Sequence, residues 1–251
     1  MGQLLAADLP EPDYGRPAVS TGLSDLDELT GGLLPGSVWV LVGAPGSGRT
    51  MLACQLARVS AGEERTRLVT PLVGPREVRA MVLAGTARVP LHHLRSSRLT
   101  EDDEVRLAMA RATLTDSSLT VEAVTRHADV PDPDTLLNAC PARALIIDDF
   151  DVWAGDDAGP VLRRLRAYAL DSASSVVVTL PEDSVLDGRG HLRRDWARIP
   201  RVVVRLSRID LQENAVRAGE VDLTVMGTGA RPSATVSAGF QGHYARFADL
   251  A

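Results

Sequence analysis

Lysine is absent, and all 27 basic residues of this 251-residue chain are arginine. Such an exclusion of one residue type reads as a compositional bias of the source genome rather than a functional signal. Broad positive charge is missing as well. The formal net charge is -6 and the pI is near 5.4, which argues against the wide basic face that grips nucleic acid by its phosphates, although a local patch stays open. Cysteine is scarce: Cys54 and Cys140 show no metal-ligand spacing and no partner motif, so they are expected as small buried hydrophobes in a reducing compartment. No apolar run approaches the length of a membrane span, and the N-terminal MGQLLAADLPEP lacks a basic start followed by an apolar core. A cytoplasmic protein without a membrane partner is the expectation. Internal repeats and low-complexity segments are lacking too. What is present, 45% hydrophobic and 24% charged residues, suits one large domain with a real core.

The most informative stretch is Val38 to Ala57, VWVLVGAPGSGRTMLACQLA, which reads as an apolar strand, a glycine-rich turn and a helix. Within it, Gly43-Ala44-Pro45-Gly46-Ser47-Gly48-Arg49-Thr50 fits the phosphate-loop pattern GxxxxGK[ST] at every fixed position except the lysine. Glycines let a run of backbone N–H groups curl toward a helix N-terminus, whose dipole favours negative charge, so a polyphosphate fits there. Arg49 keeps the charge of the missing lysine but not its shape, since a guanidinium is longer, planar and inclined to bidentate contacts. Thr50 offers the hydroxyl that ligates Mg²⁺ in such loops. The candidate nucleotide-binding residues are therefore Gly43, Ala44, Pro45, Gly46, Ser47, Gly48, Arg49, Thr50 and Met51. A ligand-free glycine-rich turn is the alternative.

Residues 1–19, with Pro10, Pro12 and Pro17, are expected to form a flexible arm ahead of a single domain over 20–251. In the segment from Ser20 to Gly32, Ser24 or Asp25 can cap a short helix whose inner face carries Leu26 and Leu29, and Gly31-Gly32 end it. A strand is expected from Arg67 to Leu72, then a helix from Pro75 to about Ala87 with Val78, Met81 and Val82 on one side. Thr100-Glu101-Asp102-Asp103-Glu104 reads as a capped helix start rather than a metal site, with Val105, Leu107, Ala108 and Met109 as the apolar part that follows. Leu119 to Val121 is expected as a strand, and Pro131 opens a short helix that ends before Pro141.

Ala144-Leu145-Ile146-Ile147-Asp148-Asp149 has the continuous apolar character of a strand buried on both faces of a parallel sheet, with its carboxylates at the C-terminal end, where ligands of open α/β sheets bind. Asp148 is the natural second anchor for Mg²⁺ opposite Thr50, against the alternative of a satisfied buried carboxylate. An amphipathic helix over Pro160 to Leu170 follows, then strands at Ser175 to Leu180, Arg201 to Leu206 and Val221 to Met226. The last pair, Ala234 to Gly239 and Tyr244 to Phe247, should form a hairpin around Gln241-Gly242. The whole is expected as an α/β fold, a mostly parallel twisted sheet flanked by helices with antiparallel C-terminal strands.

Taken together, these motifs resemble the C-terminal ATPase domain of DnaB-type replicative helicases, within the RecA-like P-loop group, over roughly residues 18 to 250. Thr21-Gly22-Leu23-Ser24-Asp25-Leu26-Asp27-Glu28-Leu29-Thr30-Gly31-Gly32-Leu33 is similar to the family's opening motif almost residue for residue. Thr86-Ala87-Arg88-Val89-Pro90, Leu99-Thr100-Glu101-Asp102, Ile146-Ile147-Asp148 and Tyr244-Ala245-Arg246-Phe247-Ala248-Asp249-Leu250 follow its pattern in order. The resemblance implies a RecA-like P-loop NTPase core, ATP or ADP with Mg²⁺ as cofactor, and DNA or a second copy of the chain as partners. Departures fall where the chemistry should be. The family's second strand ends in Ser-Leu-Glu-Met, whose glutamate is the general base; this chain has Pro71-Leu72-Val73-Gly74. The family's fourth strand ends in Ser-Gln-Leu, whose glutamine senses the γ-phosphate; Thr179-Leu180-Pro181 stand here. Its Lys-x-Arg-x-Gly-Pro finger aligns with Gly227-Thr228-Gly229-Ala230-Arg231-Pro232, leaving Arg231 as a candidate substitute two positions away.

The family's long basic DNA loop is replaced by the short acidic Trp153-Ala154-Gly155-Asp156-Asp157-Ala158-Gly159, so DNA binding lacks support from charge. No counterpart of the family's N-terminal domain is found in residues 1–19, and the chain is read as a degenerate member without it. Three readings stay open: a nucleotide-binding protein with weak or lost hydrolysis that acts through an unidentified protein partner; an active DNA-dependent ATPase or helicase in which Asp149 serves as base and Arg231 as finger; and an interaction module that binds no nucleotide.

Overall fold

The structure, a computed structural model, describes residues 17–123, 135, 137, 142–155, 158–193, 196–208, 218–227 and 232–250. Nine strands form one sheet: β1 (Val38–Gly43), β2 (Thr66–Thr70), β3 (Leu119–Ala123), β4 (Ala144–Ile147), β5 (Ser175–Pro181), β6 (Val202–Arg208), β7 (Glu220–Val225), β8 (Ala234–Gln241) and β9 (Arg246–Asp249), in the order β3-β2-β4-β5-β1-β6-β7-β8-β9. The six strands from β3 to β6 run parallel, and β7, β8 and β9 extend the sheet antiparallel. This is the expected α/β architecture.

The apolar runs of the central strands follow from burial on both faces. Trp39 and Leu41 of β1 join Ile146 of β4 and Val177 of β5 in one core, while Val38, Val40 and Val42 join Leu145, Ile147, Val176 and Val178 in the other. Alternation at period two therefore divides each of these strands between two predominantly apolar layers. On the first side pack α1 (Ser24–Thr30), α2 (Arg49–Ser60), α3 (Pro75–Ala87), α4 (Leu91–Ser96) and α5 (Glu101–Asp116); α6 (Phe150–Ala154), α7 (Ala158–Ser172) and α8 (Glu182–Val185) lie on the second.

Helix α1 is not capped as expected. Leu23 is its N-cap and no cap-residue side chain bonds the helix; instead Asp249, 225 residues away on β9, accepts from Ser24 N–H at 2.9 Å and from Ser24 Oγ–H at 2.8 Å. Leu26 is buried, but Leu29 is 43% exposed, so only one of the two expected leucines faces inward. Gly31 ends the helix in the left-handed region, as expected, at φ 79°. In α5 the capping box is present, with Thr100 Oγ1 accepting from Asp103 N–H and the Asp103 carboxylate accepting from Thr100 N–H. Its expected apolar face is narrower: Leu107 and Ala110 are buried, whereas Val105, Ala108 and Met109 are exposed.

Cys54 is buried among apolar neighbours, which pushes its thiol pKa well up, so it behaves as a small hydrophobe. Cys140, and the helix expected after Pro131 apart from Thr135 and Leu137, lie outside the described residues. No helix among the described residues is long and apolar enough to cross a membrane.

Candidate nucleotide-binding site

From β1 the chain runs to β2 and β3 on one side, returns through β4 and β5, and crosses to β6 on the other, so the strand order reverses beside β1. A cleft opens at the C-terminal ends of strands at such a switch point, and Gly43 delivers the glycine-rich turn directly into it. Gly46 and Gly48 hold φ of 81° and 97°, and Ser47 N–H donates to Ala44 C=O at 3.0 Å, so the turn curls back before α2 begins at Arg49. Ala44, Pro45 and Gly46 are exposed, Ser47 is buried, and the Ser47 hydroxyl has no hydrogen-bond partner. Met51 is partly buried against the core behind the loop.

Two glycines of the loop are also sterically required. A Cβ on Gly43 would press against Ser47 and stand 2.9 Å from the Leu206 carbonyl oxygen, and one on Gly48 would come within 2.8 Å of both Phe240 and Phe247. Those rings meet edge to face at 5.4 Å and form the floor under the loop. Arg208, at the end of β6, lays its guanidinium 4.1 Å from the Phe240 ring centre and donates to the Gly46 carbonyl at 3.1 Å. The antiparallel strands thus brace the loop from below.

Arg49 folds back on the loop: Nη1 donates to the Gly43 carbonyl oxygen at 2.6 Å, and Nη2 lies 3.9 Å from Asp149 Oδ1. Asp148 and Asp149 follow directly after β4, and Thr179 of β5 joins them. The Thr179 hydroxyl donates to Asp148 Oδ1 at 2.7 Å and accepts from Asp149 N–H at 2.9 Å. Asp148 is 1% exposed, and its Oδ2 has no hydrogen-bond partner. Burial pushes the Asp148 pKa up, opposed by the Thr179 hydroxyl, then the nearby Thr50 hydroxyl and the charge of Arg49. Asp149 is pushed up to about 6, first by burial and then by Asp148, with Arg49 opposing. It sits at φ 47°, a conformation that aspartate tolerates better than most residues.

The chain is similar to known proteins in sequence and in fold. Residues 18–130 match the family model described as DnaB-like helicase C terminal domain. The chain is 28% identical over 272 aligned positions to "Replicative DNA helicase DnaB" of Leifsonia xyli subsp. xyli (strain CTCB07), covering 95% of this chain and 57% of that protein. The chain is DnaB-like in sequence and in fold. It spans little more than half the length of that relative. "Replicative DNA helicase DnaC" of Bacillus subtilis (strain 168) is 24% identical over 106 residues, 41% of this chain and 23% of that one. The solved DnaB-like replicative helicase described with its interactions with primase superposes with a TM-score of 0.79 at 17% identity, covering 93% of this chain and 62% of that one. A second solved structure, described as an ATPase domain, gives 0.78 at 16%, covering 95% and 93%.

In this DnaB-like chain Arg49, Asp148 and Asp149 lie together at the loop, with Thr50 beside Asp148. Arg231 lies outside the described residues. Val73 stands where the resemblance places a glutamate; its N–H bonds Thr70 Oγ1 at 3.3 Å and its side chain packs on the core, so that position holds no base. Trp153, expected in the DNA loop, is instead 7% exposed in a core layer as part of α6. The sequence reading named Thr179 only as part of a lost sensor, and missed Arg208 and Phe240. Thr179 had a visible signal, a hydroxyl in an otherwise apolar strand end, while the other two depend on where distant strands pair.

Proposed function

We propose that this chain binds ATP or ADP with Mg²⁺ in the loop between β1 and α2, that hydrolysis there is weak or lost, and that it acts through nucleotide-dependent contacts with a partner in DNA metabolism. The observation that carries this reading is the buried Asp148 carboxylate oxygen left without a partner beside Thr50, at the foot of a phosphate loop. A hard divalent cation takes oxygen ligands of this kind, and Thr50 and Asp148 are the residues that would hold it. Held by Thr50 and Asp148, Mg²⁺ would supply charge neutralisation to the nucleotide's phosphates. Backbone N–H groups of the loop would cradle the phosphates once the Arg49 guanidinium leaves the Gly43 carbonyl. Weak hydrolysis follows from Val73 at the expected base position. One domain over residues 20–251 behind an N-terminal arm, whose Val19 nevertheless pairs with Leu33 and packs into the domain core, a cytoplasmic location and self-association belong to the same proposal.

One observation favours a second reading. Asp149, raised to about 6 and next to Arg49, has the proton affinity of a general base at the mouth of the site. Calorimetric titration with ATP–Mg²⁺ and ADP–Mg²⁺, paired with phosphate release with and without single-stranded DNA, separates the two. Binding that is lost in Thr50→Ala, with release at background, is the expected result. Release stimulated by DNA and abolished by Asp149→Asn would establish the ATPase instead, and absence of any binding would sink both.

A further inference from the structure

At the far end of α2, Arg58, Arg88 and Arg246 come near one another, and among the described residues no carboxylate lies within ion-pair distance of any of them. Arg58 lies in the last turn of α2, nine residues and about 14 Å along the helix from Arg49. Arg88 ends α3 with a left-handed backbone at φ 53°, and Arg246 opens β9. Their elements meet at Gly85 of α3, where a Cβ would stand 3.2 Å from Arg58 Nε and 3.2 Å from the carbonyl oxygen of Ala245, the residue before Arg246. The Nε atoms of Arg58 and Arg246 are buried with no hydrogen-bond partner among the described residues. Arg58 Nη2 reaches only Gln55 Oε1, at 3.3 Å, an oxygen already taken by Phe247 N–H at 2.8 Å. Among the described residues none of the three arginines forms an ion pair. Burial, then repulsion from Arg246 and Arg88, pulls the Arg58 pKa down to about 10, and burial and Arg88 act the same way on Arg246.

Helix ends offset part of this charge. The C-termini of α2 and α3 each contribute roughly half a negative charge, which leaves about two positive charges without compensation. We propose that Arg58, Arg88 and Arg246 form a second anion site, remote from the phosphate loop, that takes a small phosphate-class oxyanion. Planar guanidinium forks suit phosphate oxygens, and burial of two Nε donors makes an unmet bond costly. A hollow of about 560 Å³ opens beside Arg58, lined also by Thr86, Ser117 and Ser118. Glu63 and Asp116 also line it, outside ion-pair distance of Arg58. An occupied site would tie α2, α3 and β9 together.

The test uses inorganic pyrophosphate without divalent metal, read by calorimetry and thermal unfolding. The full chain is compared with a loop variant, Arg49→Gln with Thr50→Ala, and with Arg58→Gln and Arg246→Gln separately, so that one misfolded variant does not remove the test. The expected result is stabilisation retained in the loop variant and binding weakened at least about tenfold in the other two, the loss of one charged hydrogen bond. Arg58→Gln should also raise the unfolding temperature in the absence of anion. Unchanged binding in Arg58→Gln and Arg246→Gln, or binding lost with the loop alone, would overturn the site. Tight binding of an oligothymidylate through the same arginines would overturn the assignment to a small ion.

Discussion

Asp149 concentrates the site's electrostatics. Its folded-state pKa of about 6 exceeds the ordinary 3.8, so between those values the native state holds more proton than the unfolded chain. Stability from this group is therefore complete below about pH 4 and falls as pH rises through 6. Asp149→Asn, which also tolerates positive φ, should flatten that fall and gain stability relative to the native chain above pH 6; urea unfolding across pH 4 to 8 measures it. Gly48 is constrained by shape instead of charge. Gly48→Ala sets a methyl 2.8 Å from Phe240 and Phe247 at φ 97°, and should cost roughly 1–3 kcal/mol. Denaturant midpoints would show it, and an unchanged midpoint would mean that the rings yield.

At the scale of single elements, two helix starts are secured in different ways. α5 carries its own cap in consecutive residues, so Thr100→Ala should cost about 1 kcal/mol. The N–H of Thr100, then His93 at 2.8 Å, hold the Asp103 carboxyl below its usual range, which keeps the box charged. α1 depends on a carboxylate from the end of the chain. Asp249→Ala should cost about as much, and should loosen α1 together with the β8–β9 hairpin. Hydrogen exchange distinguishes that coupled loss from a local effect: protection should fall in both segments, and a fall confined to α1 would refute the coupling.

Across the whole molecule, the loop is anchored at both ends in the best-buried structure, β1 and α2, and is braced by β6 and β8. A ligand there should stabilise the cooperative unit as a whole, by about 2.7 kcal/mol at a hundredfold excess over Kd. ATP–Mg²⁺ should accordingly raise the unfolding temperature of the entire transition, and Arg49→Lys should enlarge the shift by freeing the Gly43 carbonyl and restoring a point charge. A shift of equal size in both proteins would show that the Arg49 contact costs the ligand nothing.

Local pattern alone determined the positions of the nine strands, the bounds of α3 and the glycine-rich turn, while α4, α6 and α8 were not read from it. Continuous apolar runs, proline and glycine positions and the loop spacing act over a few residues and need no partner to be read. Tertiary structure decided what depended on distant residues. Asp249 rather than Ser24 or Asp25 caps α1 because β9 ends beside it. Leu29, Val105 and Met109 are exposed because the sheet covers only part of each helix surface. Thr179, Arg208 and Phe240 enter the site because β5, β6 and β8 pair around β1 in an order that no local signal encodes. The convergence of Arg58, Arg88 and Arg246 arises in the same way: only the packing of α2, α3 and β9 against one another sets three like charges near each other.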